Sequence, residues 1–237
     1  MVFFDRSFIF TSSRRATLLC HAPMKFLKYH LFLVSLVIIM VSYPFLEDFR
    51  WGGLISLFLL AISFFLFLTI LSVHRRIFRV MLFLSILTIL VEVVAMIFPS
   101  SGITTLQYLN LSLLIFLFAG ILFQTIMEQK SLSLPDISNA VSVYLLIGIG
   151  FGFLYSFIEK IHPGSIAYTS AGNADISGDM IYYSFSVLTT VGFGDMAPLH
   201  KAAKVLAMFE AVLGVMYVAI MIGRLVGLST SGKKSEK

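Results

Sequence analysis

Nothing constrains the fold of this chain more than six long apolar stretches that are almost free of charge: Tyr29–Leu46, Trp51–Val73, Val80–Phe98, Ile103–Met127, Ile137–Ile158 and Val205–Gly223. Only Glu92, in the third, and Glu210, in the sixth, interrupt them. The hydrocarbon core of a bilayer is crossed by about 20 apolar residues in a helix. It admits only helices or closed barrels, because no water is present to satisfy an open backbone. The alternation of short barrel strands is not visible, so the expected fold class is an all-α integral membrane protein with six transmembrane helices. Composition agrees: 59% of residues are hydrophobic and 12% charged, against about 25% charged in a soluble domain. A soluble enzyme, a nucleic-acid-binding domain and a disordered chain are excluded on that ground. Cys20 is the sole cysteine, which rules out an intrachain disulfide or a cysteine metal cluster. The histidines (His21, His30, His74, His162 and His200) show no metal-ligand spacing, and no nucleophile motif or phosphate loop is present.

Basic residues orient the spans. With both termini cytoplasmic, Arg6, Arg14, Arg15, Lys25, Lys28, Arg75, Arg76, Arg79, Lys130, Arg224, Lys233, Lys234 and Lys237 lie inside. Arg50, Lys160, Lys201 and Lys204 lie outside, a ratio of 13 to 4 that follows the positive-inside rule. Arg75, Arg76 and Arg79 are expected in the short loop after the second span. The chain divides into a cytoplasmic segment, 1–28, a four-helix peripheral domain, 29–127, a two-helix module, 137–228, and a basic tail, 229–237. Met24-Lys25 is an alternative start, and the opening stretch an alternative signal peptide. No small-residue cleavage site follows Leu46, so an uncleaved first helix is expected. The tail after Gly223 is expected to be a solvated basic end, too short for a ligand-binding domain.

The connection Glu159–Lys204 is far longer than the usual ~4–6 residues. Its first half, Ile161–Gly178, is rich in Gly, Ser and Ala. Asp179–Leu188 turns apolar and aromatic for half the length of a span, which predicts a re-entrant helix with Ser177 and Asp179 as candidate caps. It leads into Thr189-Thr190-Val191-Gly192-Phe193-Gly194-Asp195. Irregular backbone at membrane depth is tolerated only where it is buried or lines a water-filled path. Alternate glycines permit alternating left- and right-handed backbone, which turns successive carbonyls to one side. Four such strands about an axis make stacked oxygen rings that replace the hydration shell of a cation. The Thr190 hydroxyl adds one more ring. The C-terminal, partially negative end of the half-helix points inward and favours a cation there.

This run resembles the T-x-G-[Y/F]-G-D signature of the tetrameric potassium-channel superfamily. Tyr182-Tyr183 sits where many relatives have two tryptophans, Pro198 follows at the usual distance, and Gly214 lies 20 residues after Gly194, at the position of a hinge glycine. The resemblance covers about 137–228, where the module is similar to the two-transmembrane ion-channel domain. It implies a six-transmembrane, prokaryotic-type subunit with one pore loop, assembling as a homotetramer that conducts potassium passively. Thr190, Val191, Gly192, Phe193 and Gly194 then bind potassium ions. Tyr182, Tyr183, Ser186, Thr189 and Asp195 form the filter support and outer mouth. Gly214, Val218 and Ile222 form the hinge and gate of the inner helix. The implied partners are potassium ions, the lipid bilayer and three further copies, with no nucleic acid. No cofactor, catalytic residue or metal other than the transported potassium is implied. The implied location is the plasma membrane, of bacterial inner-membrane type, as a multi-pass protein. Phe193 stands where tyrosine is commoner, so a bracing hydroxyl is absent. Ser186 stands where some relatives carry a glutamate, so a carboxyl pair with Asp195 is missing.

Intramembrane carboxylates are expensive and usually functional. Glu210 reads equally as a brace behind the filter or as a polar anchor facing the half-helix. Glu92 is expected to pair with a neighbouring helix or to snorkel outward. The fourth span carries Gln107, Asn110 and Gln124 but no Arg or Lys, so it lacks voltage-sensing charge. Gly148, Gly150 and Gly152 read as small-residue packing sites. A weakly selective cation channel and a transporter or non-conducting accessory subunit are the alternatives. A transporter is expected to show inverted repeats and paired broken helices, and only one re-entrant segment is visible.

Overall fold

The computed structural model describes residues 29–42, 52–70, 75–97, 100–129, 134–168 and 176–234. Segment 1–28 with Cys20 and Met24, residues 169–175 of the long loop, the Glu92 side chain and the last three residues of the tail lie outside the described residues. Seven described helices follow in chain order: α1 (Tyr29–Ser42), α2 (Gly52–Ile70), α3 (Arg75–Ile97), α4 (Ser101–Glu128), α5 (Leu134–Ile161), α6 (Ile176–Leu188) and α7 (Lys201–Lys234). Strands β1 (Ile166–Tyr168) and β2 (Met196–Pro198) pair antiparallel, with Ile166 opposite Pro198. Among the described residues, Gly102–Glu128, Asp136–Ile161 and Lys201–Gly227 are long and apolar enough to cross a membrane. Tyr29–Ser42 and Phe78–Val91 are shorter apolar helices.

The apolar runs marked the helices but not always their ends. Helix α3 begins at Arg75, so Arg75, Arg76 and Arg79 lie in its first turns and not in a loop. Arginine is a good helix former, and its charge ends an apolar run without ending a helix. For the same reason α7 continues to Lys234, beyond the apolar stretch that stops at Gly223. Helix α6 starts at Ile176, which puts Ser177 and Asp179 inside its first turn and not at the cap. Asp179 there still complements the positive end of the helix.

Helix α4 lies along α5, α3 against α4, and α2 against α3. Helix α1 meets α2 through Phe32 and Phe67, whose rings are 5.6 Å apart. It meets α5 through His30 Nδ1 and Ser138 Oγ at 2.9 Å. Phe67 stacks on Phe118 of α4 at 3.9 Å, and Phe64 meets the same ring edge-on. Dispersion between such close-packed rings holds helices together where lipid offers no hydrophobic drive. Helix α6 is wedged between α5 and α7. Gly152 makes this approach possible, since a Cβ there would come within 2.8 Å of the Ile181 Cα. At the C-terminal end of α5, Glu159 accepts from the amides of Gly164 at 2.6 Å and Ile166 at 3.1 Å. The amides of Leu199 and His200 donate to Ser165 O. Together with β1 and β2, these bonds tie the end of α5 to the start of α7.

Candidate functional site

The site is built on α6, a helix of 13 residues and too short to span a bilayer. Two other helices hold its C-terminal end. Tyr144 of α5 donates to Leu188 O at 3.3 Å. Gly214 of α7 packs so closely on the same carbonyl that a Cβ would collide with it. Gly214 is therefore a contact point between α7 and α6, within an α7 that is continuous through this position.

Beyond Leu188 the chain turns back on α6. Thr189 N donates to Phe185 O at 3.0 Å and Thr190 N to Val187 O at 2.9 Å. Gly192 N donates to Ser186 O at 3.1 Å, and Phe193 N to Ser186 Oγ at 3.4 Å. Ser186 thus straps two successive units of the following segment through its carbonyl and its hydroxyl. The backbone alternates in hand: φ is positive at Thr190 (59°), Gly192 (58°) and Gly194 (82°), and not at Val191 or Phe193. Thr189 to Gly194 are exposed on the single chain, with Val191 and Phe193 uncovered despite being apolar.

Asp195 closes the segment. It accepts from Tyr182 Oη at 2.8 Å and from the amide of Met196 at 3.0 Å. The Tyr182 ring stacks on Phe193, with centroids 5.7 Å apart and planes 11° apart. The hydrogen bond to Asp195, then desolvation and the carboxylate charge, raise the Tyr182 phenol above its ordinary value. Tyr182 therefore remains the donor. Phe193 lacks a hydroxyl, and Tyr182 holds both this ring and the neighbouring carboxylate. Tyr183 points the other way, buried edge-on against Tyr155 of α5 at 4.9 Å.

Behind α6 lies a buried polar cluster. Glu210 of α7, Ser184 of α6 and Tyr155 of α5 are each 0% exposed. Tyr155 donates to Glu210 Oε2 at 2.6 Å. Ser184 Oγ lies 2.5 Å from Glu210 Oε1 and 2.7 Å from Gly148 O. Glu210 reaches the half-helix, and its hydrogen-bond partners are hydroxyls of α5 and α6.

Helix α7 buries one narrow stripe, Ala203, Glu210, Gly214, Tyr217 and Met221, at the i, i+3, i+4, i+7 spacing of a single helix face. Tyr217 anchors it by donating to Ala140 O at 2.6 Å. Val218 and Ile222 lie off this stripe and are exposed. One turn beyond Met221, Arg224 grips the C-terminal end of α4. The two N–H groups of its Nη2 are shared among Ile126 O at 3.0 Å, Met127 O at 2.5 Å and Gln129 O at 2.7 Å, and its Nε donates to Ile126 O at 3.2 Å. Sequence reasoning passed over Tyr144, Tyr155 and Ser184, and gave Arg224 only a topological role. The available signal was the tyrosines and serines inside the fifth span and the half-helix, polar groups that need partners when buried.

Residues 143–229, from the middle of α5 through α7, match the family model described as an ion channel. No curated protein and no solved structure matches the chain. The match covers the half-helix, the glycine segment and the helices on either side. The match supports passive ion conduction by this part of the chain.

Proposed function

We propose that the chain is the subunit of a potassium-selective channel that conducts potassium passively as a homotetramer in the plasma membrane. The observation that carries this reading is the alternation in backbone hand at Thr190, Gly192 and Gly194, placed directly after the C-terminal end of α6. Alternation of this kind aims consecutive carbonyls to one side, and rings of carbonyls are what a dehydrating cation requires. Thr190 to Gly194 would supply the rings. Tyr182, Ser186, Thr189 and Asp195 would hold them, with Tyr183 packing the half-helix. One chain carries one such segment, so a closed ring takes four chains. The exposed faces of Val191, Phe193 and much of α7 leave surface for those contacts. In this reading 29–127 forms a peripheral domain of four spans, 137–228 the pore module, and both termini are cytoplasmic. No enzyme activity, cofactor or nucleic acid belongs to it.

The test is purified protein in liposomes, assayed for potassium flux and then for single-channel reversal potential in asymmetric potassium and sodium. Reversal close to the potassium equilibrium potential is expected. Reversal near zero identifies a weakly selective cation channel, and absence of flux overturns conduction. Cross-linking in detergent should end at a four-chain species.

A further inference from the structure

The buried cluster behind α6 has a proton inventory that its oxygen positions decide. Three short oxygen–oxygen contacts link four groups in a row: Tyr155 Oη to Glu210 Oε2, Glu210 Oε1 to Ser184 Oγ, and Ser184 Oγ to Gly148 O, at 2.6, 2.5 and 2.7 Å. Each contact at such a distance needs one proton between its oxygens. The Gly148 carbonyl can only accept. The Ser184 hydroxyl has one proton and faces two oxygens. A single proton divided between both would leave both contacts long, whereas both lie within hydrogen-bond distance. If Ser184 gives its proton to Glu210, the contact with Gly148 O is left as two facing lone pairs. If Ser184 gives it to Gly148 O, the proton toward Glu210 must come from Glu210. Tyr155 supplies the remaining proton to Oε2. Three bonds and three protons then balance in one direction, Tyr155 to Glu210 to Ser184 to Gly148 O.

Burial leads to the same assignment. An ionised carboxylate at 0% exposure bonded to two neutral hydroxyls would be a buried charge without a counter-charge, which is strongly disfavoured. We infer that Glu210 is held as a neutral carboxylic acid and cross-links α7 to α6 and α5 by donating its own proton to Ser184. The bridge places a donor–acceptor group, and not a charge, directly behind the half-helix. It joins the helix that carries Val218 and Ile222 to the helix that carries the glycine segment. Glu210 is thereby a positioning residue. The protonation state stands independently of conduction, while the positioning role rests on the proposed function.

The discriminating substitution is Glu210→Gln. Its amide nitrogen can donate to Ser184 and its carbonyl can accept from Tyr155, so the chain of bonds survives without an ionisable proton. Infrared spectra of purified protein at neutral pH should show a carboxylic-acid carbonyl band that Glu210→Gln loses. Ser184→Ala should shift that band in frequency, because it removes the acceptor. In liposomes, Glu210→Ala should lower potassium flux about tenfold or more, the scale of one lost buried hydrogen bond. Glu210→Gln should recover most of that loss. Identical acid-carbonyl spectra for wild type and Glu210→Gln would overturn the neutral assignment. Equal losses in Ala and Gln variants that fold as well as wild type would overturn the positioning role. If the wild type itself carries no potassium flux, the proposed function fails, and the infrared comparison still decides the state of Glu210.

Discussion

Among the described residues outside glycine, Thr190 alone has a positive φ, 59°. For a β-branched residue this is a sterically poor conformation, and holding it costs on the order of 1–3 kcal/mol. The restraint comes from its neighbours: Thr190 N bonds back to Val187 O, and Gly192 N to Ser186 O. Gly192 and Gly194 take the same hand without that penalty. A Cβ at Gly192 would meet nothing within 4 Å at φ +58°, so handedness and not space forbids a side chain there. Gly192→Ala should push this residue out of the left-handed region, at about 1–2 kcal/mol per copy, and turn the adjoining carbonyls away. The expected outcome is loss of selective potassium flux with membrane insertion and assembly intact. Unchanged selectivity in that variant would remove Gly192 from the ion path. This segment was legible in the sequence because its geometry is local, six residues with glycine at alternate positions. The partners of Glu210 were not, since Ser184 and Tyr155 stand 26 and 55 residues away. Hydropathy says that a carboxyl is buried without saying what meets it.

At the scale of whole elements, the apolar runs marked where the helices lie, because burial in lipid demands length and absence of charge. Ends were less legible, as α3 and α7 show, since charged residues can extend a helix past its apolar stretch. Strands of three residues left no trace: β1 and β2 are too short for a period and join through register alone. Helix α4 bears on gating. Between Ile103 and Met127 it carries no Arg or Lys, and each gating charge would supply only about 2.3 kcal/mol per 100 mV. Open probability should therefore vary shallowly with voltage, with an effective charge of about one or less. A steep sigmoid in the absence of a blocking ion would contradict this. Helix α4 does have a mechanical tie to α7, the Arg224 fork over the carbonyls of Ile126, Met127 and Gln129. A cation fits the negative C-terminal end of a helix, and the planar guanidinium reaches several acceptors that a single ammonium cannot. Charged hydrogen bonds are worth about 1.5–3 kcal/mol. Arg224→Lys should accordingly raise amide hydrogen exchange at the C-terminal end of α7 about tenfold or more, and Arg224→Ala further. Equal exchange in all three proteins would make the fork inconsequential.

For the whole molecule, the uneven cover on α7 bears on the proposed conduction path. The stripe through Glu210, Gly214, Tyr217 and Met221 is closed by α5 and α6, and most of the remaining surface is uncovered by its own chain. Ile222 is 58% exposed and Val218 43%, so packing against α5 of the same chain does not account for either. Val218 and Ile222 lie one turn apart on one face by the i, i+4 rule. In the proposed tetramer that face turns to the axis, and four copies of Ile222 near the cytoplasmic mouth make an apolar constriction, which closes by dewetting. Two anchors bracket it: the contact of Gly214 with Leu188 above and the Arg224 fork below. Opening by an outward swing of the lower helix would pivot near the first and strain the second. Ile222→Ser should wet the constriction and raise basal potassium flux, measured in liposomes without any stimulus. Selectivity should be unchanged, because the residues from Thr190 to Gly194 are untouched. If a well-folded Ile222→Ser tetramer shows wild-type basal flux, water already passes this level, and the closed point of the pathway lies in the glycine segment itself.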